Sequence, residues 1–315
     1  MHSILILADI EGSTGCRSRA DSQLFNDGWV NACVQMTQDL NAVISALKTH
    51  NSVGRIRVKD FHRTGFNIFA DLLDKRAELS QGYDSDPVIG IGDCRGFDLL
   101  FMVGLHAASG TEGFLPHTLT SKFEAIKFHH RPVTEAELFS ASVASSGIKP
   151  VFFSGCPQAC IQAKAAIPWL KTVEIDKNEP ANPEKQRQKL AQKALEAIRC
   201  AHTEAKVFDC KGSGQLEITL REDVAKKIAR RWKLELIQNQ AVFSVENLND
   251  AYQRLIELAY LTPFWAKNLA WGLRFFNLWG RLCHFWALKR RGSLQSAFVI
   301  DEVDADRGCE RNQRH

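Results

Sequence analysis

Asp9 and Glu11 stand one residue apart where the apolar run Ile4-Leu5-Ile6-Leu7-Ala8 gives way to Gly12. A strand repeats every two residues, so both carboxylates point to the same side of the chain end. Two anions held that close repel each other unless a proton or a cation sits between them. Alone, the pair reads equally well as a helix cap beside a solvated acid. Histidines at two further strand ends shift the balance. Arg55-Ile56-Arg57-Val58 leads through Lys59-Asp60-Phe61 into His62, and the run 99–105 leads into His106. Ligands of an open parallel sheet gather at the carboxyl ends of its strands, so residues distant in sequence can meet there. Two imidazoles with several carboxylates suit zinc or another borderline divalent ion. Glu135, in Arg131-Pro132-Val133-Thr134-Glu135, offers a third carboxylate. Charge arithmetic favours two ions, because two divalent cations balance three carboxylates and one hydroxide. Paired ions can share a water, lower its pKa and hold it against a carbonyl.

Each residue also has a plainer reading when taken singly. His62 and His106 read as surface or internally satisfied histidines, and Glu135 as a solvated residue in a polar turn. Asp60 either caps a turn or orients His62, since metal-bound imidazoles usually have an oxygen partner. His129-His130 reads as strand-end surface, with a substrate contact as the alternative.

The elements that must position these side chains follow from the apolar pattern. Residues 3–8, 54–58, 99–105, 124–128 and 149–154 read as buried strands. A helix is expected over 27–49, with Val30, Cys33, Val34, Leu40, Val43, Ile44 and Leu47 at three- and four-residue spacing. This alternation predicts an α/β fold: a mainly parallel sheet flanked by helices. Residues 176–184 form a polar, proline-bearing loop before a charged amphipathic helix over 183–199. A half-exposed strand at 215–220 and a helix at 248–260 add a smaller α+β unit. The expected division is a catalytic domain over 1–204, the smaller domain over 205–260 and an extension over 261–315.

That extension is rich in aromatics: Phe264, Trp265, Trp271, Phe275, Phe276, Trp279, Phe285 and Trp286. Lys267, Arg274, Asn277, Arg281 and His284 interrupt them at intervals of three, four or seven. The spacing gives one polar stripe on a broadly apolar helix that ends at Lys289-Arg290-Arg291, with a polar, frayed tail beyond. Residues 262–291 could touch a membrane surface. The plainer reading packs the apolar face on the body or on a neighbouring subunit.

Composition narrows the class. The chain has 315 residues, 45% apolar and 24% charged, which is ordinary for a globular protein. A net charge of +4, with both signs interspersed, gives no reason to expect a nucleic-acid partner. Nine scattered cysteines form no CxxC pair, so a structural zinc knuckle is not expected and free thiols in a reducing cytoplasm fit best. Residues 4–8 are too short for an export core and lack a basic leader, so no signal peptide is expected. No run of 18 uninterrupted apolar residues suggests a membrane span.

Five motifs, in order, resemble the zinc-dependent D-aminopeptidase family: Asp9-x-Glu11-Gly12, Asp60-x-His62, Gly104-x-His106, Gly113-x-x-x-His117 and Arg131-Pro132-Val133-x-Glu135. The resemblance spans about residues 3–260 and keeps the eleven-residue step from His106 to His117. It implies that Asp9, Glu11, His62, His106 and Glu135 hold two zinc ions per chain. It also implies that His117 is a catalytic residue outside the metal shell. The expected activity is release of N-terminal (D-)amino acids from short peptides, in a ring-like homo-oligomer that encloses its active sites. A neutral imidazole on the loop Gly110-Thr111-Glu112-Gly113-Phe114-Leu115-Pro116 could pass a proton to a leaving amine, or attack a carbonyl itself.

Three segments depart from the family pattern. Gly155-Cys156-Pro157 stands where the family has a Gly-Asp-Asp turn, and Lys177-Asn178-Glu179-Pro180-Ala181-Asn182 replaces a Gly/Arg/Ala-rich segment. Met36-Thr37-Gln38-Asp39-Leu40-Asn41 replaces a Met-Thr-x-Glu-x-Asn pattern. These changes spare the metal-site motifs and reshape the pocket. Two alternatives therefore stand beside a peptidase: a metal-dependent amidase or esterase on another small molecule, and a non-catalytic membrane-associated scaffold.

Overall fold

Alternation along one strand decides the layering of this protein. In strand β1 (His2–Ala8), Leu5 and Leu7 enter one buried cluster while Ile4, Ile6 and Ala8 enter another on the opposite face. The same division recurs in β4 (Leu99–Leu105), where Leu100 and Met102 face one side and Phe101 and Val103 the other. Period-two side chains buried on both faces require a covering layer on each side. The sequence supplies both. Each fully buried Leu, Ile or Phe contributes about 1.5–3 kcal/mol relative to exposure.

The computed structural model describes residues 1–177, 182–210 and 212–311, with side chains as far as Leu294. Its main sheet has six parallel strands in the order β3-β2-β1-β4-β7-β8. The remaining members are β2 (Val53–Asp60), β3 (Glu78–Ser80), β7 (Lys149–Gly155) and β8 (Lys171–Glu174). Helices α1 (Asp27–Lys48) and α4 (Pro183–Glu204) pack together on one face. Asn26 caps α1 by accepting a hydrogen bond from Trp29 N. On the other face lie α2 (Glu135–Ala144), α3 (Pro157–Ala166) and α6 (Leu248–Tyr260).

A smaller antiparallel sheet shares that second core. Its order is β10-β9-β5-β6, from β5 (Phe123–Phe128), β6 (Arg131–Pro132), β9 (Gly214–Leu220) and β10 (Gln240–Val245). Helix α5 (Glu222–Trp232) joins β9 to β10. Four of the five expected strands lie in the parallel sheet; the run at 124–128 instead pairs with β9. Its alternating buried and exposed residues suit a half-covered antiparallel strand.

The aromatic extension forms α7 (Pro263–Lys267) and α8 (Leu269–Arg311), broken at Asn268. The backbone stays helical to Arg311, so the fraying expected after Arg291 is corrected. The expected packing of the apolar face on the body holds only in part. The docked face is mixed: Asn277 pairs with both Tyr83 N and Tyr83 O and His284 Nδ1 meets Phe66 O at 3.0 Å, while Trp286 stacks on Trp29 with ring centres 6.0 Å apart and Cys283 and Ala287 are buried. Arg290 and Arg291 pair with Asp27 and Asp71. Gly280 sits so close to Phe66 that a Cβ there would lie 2.4 Å from the ring. Among the described residues no helix is long and apolar enough to cross a membrane. Most of the departure segment at 177–182 lies outside the described residues, as does the Cys309 side chain.

Candidate metal centre

Ala8 of β1 stands level with Asp60 of β2 and with Val103 of β4. Asp9, His62 and His106 therefore lie one, two and three residues beyond the same rung, at the switch point where strand order reverses around β1. The three segments can close on one another because two positions carry no side chain. Gly12 N donates to Gly104 O at 2.7 Å. A Cβ on Gly12 would lie 1.8 Å from Leu105 O, and one on Gly104, at φ +81°, would lie 2.2 Å from Asp9 O. Glu135 arrives from another direction, as the first residue of α2 rather than in the polar turn expected from sequence. Thr134 and Glu137 close a capping box there, and the positive end of the helix favours an ionised Glu135.

The side chains meet in two groups that share Asp9: Asp9 with Glu11 and His62, and Asp9 with His106 and Glu135. All five are buried. His62 Nδ1 lies 2.8 Å from Asp9 Oδ1 and 2.7 Å from Glu11 Oε2. His106 Nε2 lies 3.4 Å from Asp9 Oδ2 and 3.6 Å from Glu135 Oε2. Glu135 Oε1 is engaged separately, accepting Leu119 N at 2.7 Å.

The opposite edges of the imidazoles fix where one hydrogen of each ring sits. His62 Nε2 is 3.0 Å from Ser22 O, and His106 Nδ1 is 3.2 Å from Ala107 O. A carbonyl oxygen can only accept, so those nitrogens carry the hydrogen. A neutral ring in that tautomer, the form that binds a metal, presents the lone pair of its other nitrogen to carboxylate oxygens. Lone pair facing anion is repulsive unless a cation lies between them, and metal-bound histidines have this carbonyl partner on the far nitrogen. Glu11 Oε2 adds a second observation: it is buried and, apart from His62 Nδ1 at 2.7 Å, has no polar partner among the described residues. The donor set thus fits a divalent ion at each group.

Without a cation the cluster must hold protons instead. Burial, then Glu11, pushes the Asp9 carboxyl up to about 7, while burial lifts Glu135 to about 7. Burial also works against charge on Glu11 and on His62. The attraction between those two outweighs it, holding Glu11 well below and His62 well above their ordinary values.

His117 lies beside this cluster. Its ring stacks on His106 with centroids 3.8 Å apart and planes at 9°. Nδ1 donates to Leu115 O at 2.8 Å, which leaves the Nε2 lone pair uncommitted. Burial, then His106, lowers its pKa to about 4, so the ring is neutral at pH 7. The loop is pinned by His117 N to Ala107 O at 3.0 Å and by the Tyr260 hydroxyl donating to Leu119 O. Leu115 and Leu119 flank the histidine in left-handed conformations, φ +46° and +60°. For non-glycine residues that geometry costs about 1 kcal/mol or more each.

Asp60 proves to be the cap rather than the partner of the His62 ring. Its carboxylate accepts His62 N at 3.2 Å, Ile68 N at 2.9 Å and Asn67 N. Asn67 Nδ2 reaches Asp60 and His62 O, while its Oδ1 receives the buried Trp29 indole at 3.0 Å. The ring's own partner, the Ser22 carbonyl, lies in a short turn (Ala20–Ser22) that no side-chain motif marks. Lys177, the first residue of a segment that departs from the family pattern, donates through its ammonium to Ser13 O and Cys16 O, tying down the segment after Glu11. His129 and His130 form the left-handed turn between β5 and β6, where His130 pairs with Glu217 at 2.6 Å.

Comparison with known proteins meets this geometry from outside. A solved structure described as the Zn-dependent D-aminopeptidase DppA from Bacillus subtilis, a self-compartmentalizing protease, superposes with a TM-score of 0.73. The match covers 82% of this chain and 97% of that one at 20% identity, a likeness of fold. A search of the curated proteins returns no match. The sequence profile of the D-aminopeptidase family, peptidase family M55, matches residues 2–256. This chain belongs to the D-aminopeptidase family.

Proposed function

We propose that the protein is a zinc-dependent aminopeptidase that removes N-terminal (D-)amino acids from short peptides at a two-metal site. The observation that carries this reading is the pair of carboxylate–imidazole groups sharing Asp9. One oxygen of Asp9 faces His62 and the other faces His106, so Asp9 would serve as a ligand in both groups. Glu11 and His62 would complete one ion's protein ligands, and His106 and Glu135 the other's. Zinc, when bound, supplies Lewis-acid polarisation of the scissile carbonyl and an acidified water.

The chain's own residues supply the rest. Ser22 O and Ala107 O fix the tautomers of His62 and His106, keeping the donor nitrogens turned inward. His117 stands beside the cluster as a neutral base with Nε2 free. From there it can take a proton during attack and return it to the departing amine. Family membership supports the D-aminopeptide class of substrate. The relative's description as self-compartmentalizing supports a closed homo-oligomer around small substrates.

Metal analysis coupled to a substrate panel tests the reading. Mass spectrometry of purified protein should find two zinc ions per chain. Asp9→Asn should lose both and Glu135→Gln chiefly one. The loaded enzyme should release amino acids from D-aminoacyl amides and D-dipeptides in preference to L-forms and aryl esters. Metal-free protein with undiminished turnover, or esters as the best substrates, would overturn it.

A further inference from the structure

Helix α8 is mounted with two residues of its polar stripe, Asn277 and His284, inward and Arg274 and Arg281 outward. Asn277, Gly280, His284 and Arg291 lie against the body, as do the buried Cys283 and Ala287. The opposite face shows Trp271, Phe275, Leu278, Leu282 and Phe285, each more than half exposed, with Phe264 of α7 at 64%. Trp271 to Lys289 spans about 27 Å at 1.5 Å per residue. A contiguous apolar face of this kind marks an interaction surface.

Charge identifies what would cover it. From residue 258 to residue 300 the sequence holds no Asp or Glu. Lys267, Arg274, Arg281 and Lys289 are exposed, and none of them makes an ion pair among the described residues. Two lie over aromatic rings of the exposed face, Arg274 over Trp271 at 5.2 Å and Lys289 over Phe285 at 4.5 Å. A two-fold partner presenting the same face would bring these unpaired cations against one another, which opposes self-association. Tryptophan and phenylalanine among unpaired cations instead suit the boundary between lipid headgroups and acyl chains.

We propose that the outward face of α7 and α8 is a docking surface for an anionic lipid bilayer. The helix lies in the plane of the interface, its aromatic side chains enter the headgroup boundary, and the four cations meet lipid phosphates and carboxylates. This inference is independent of the peptidase reading.

Co-sedimentation of the full chain with vesicles of phosphatidylcholine alone, or mixed with phosphatidylserine, decides it. Partition should be at least tenfold stronger on the anionic vesicles and should weaken with salt. The triple variant Arg274→Gln/Arg281→Gln/Lys289→Gln should lose that preference. Trp271→Glu/Phe275→Glu/Phe285→Glu should lose binding altogether. Both should keep the circular dichroism spectrum and thermal midpoint of the parent, because their side chains point away from the body. Three results overturn the proposal: equal or absent binding on both vesicle types, undiminished binding by the glutamine variant, or a lipid-free assembly that the glutamate variant dissolves while vesicles stay unbound.

Discussion

His106 and His117 stack face to face, 3.8 Å between ring centres, although only His106 turns a nitrogen toward the shared carboxylates. The stack separates two roles that sequence spacing alone leaves entangled. His117→Ala should therefore lower kcat by about 10²–10⁴, the usual contribution of a proton-transferring group. The zinc content should stay unchanged. Because burial and His106 already hold the ring neutral, the shape of the rate–pH profile above pH 5 should survive the substitution. Loss of metal in step with activity would make His117 a ligand instead.

Proton and metal compete for the same carboxyls. Asp9 and Glu135 titrate near 7 in the metal-free site, far above their ordinary values near 4. A folded-state pKa above the unfolded one stabilises fully below the unfolded value and is lost as pH rises through the folded value. Chelator-stripped protein should therefore lose thermal stability between pH 4 and pH 7 through these groups. The zinc-loaded protein should lack this decline, its ions replacing the protons. Calorimetric titration at pH 7, repeated in buffers of different ionisation enthalpy, should register proton release on loading. Apparent affinity should fall at least about tenfold per pH unit below pH 6. A pH-independent affinity would contradict this account of the cluster.

How much of this was legible beforehand depended on whether a signal was local. Asp9-x-Glu11 and the residues after β2 and β4 were readable because strand ends of a parallel sheet converge by topology. Glu135 was readable as a candidate donor, but not as the first residue of a capped helix. Its neighbours Thr134 and Glu137 carried a capping-box signature that could have placed it. Ser22 could not be found, because a backbone carbonyl has no residue-type signature. The glycines at 12 and 104 appeared in the motifs without their reason, which is a three-dimensional clash with Leu105 O and Asp9 O. Helix α8 misled for a related cause. Periodicity distinguishes polar from apolar faces, but the face that meets the body is mixed: Asn277, His284 and Arg291 find polar partners there, and Trp286, Cys283 and Ala287 apolar ones.

That docking leads to the metal site through Tyr83. Asn277 Oδ1 accepts Tyr83 N at 2.8 Å and its Nδ2 donates to Tyr83 O at 3.0 Å, imitating a strand partner on one residue. The Tyr83 hydroxyl in turn lies 3.1 Å from Phe61 O and 3.0 Å from Arg63 O, the carbonyls on either side of His62. Asn277→Ala frees both backbone groups of Tyr83 in a half-buried setting, a cost of about 1–3 kcal/mol. The His62 loop should then loosen before the sheet does. Hydrogen exchange should quicken around residues 61–67 and zinc affinity should fall, while protection in β1 and β4 holds. Asn277→Asp keeps the acceptor for Tyr83 N but turns a second acceptor toward Tyr83 O, so it should not restore the parent's exchange. Unaltered exchange at 61–67 in the alanine variant would show that α8 and the metal loop are energetically separate.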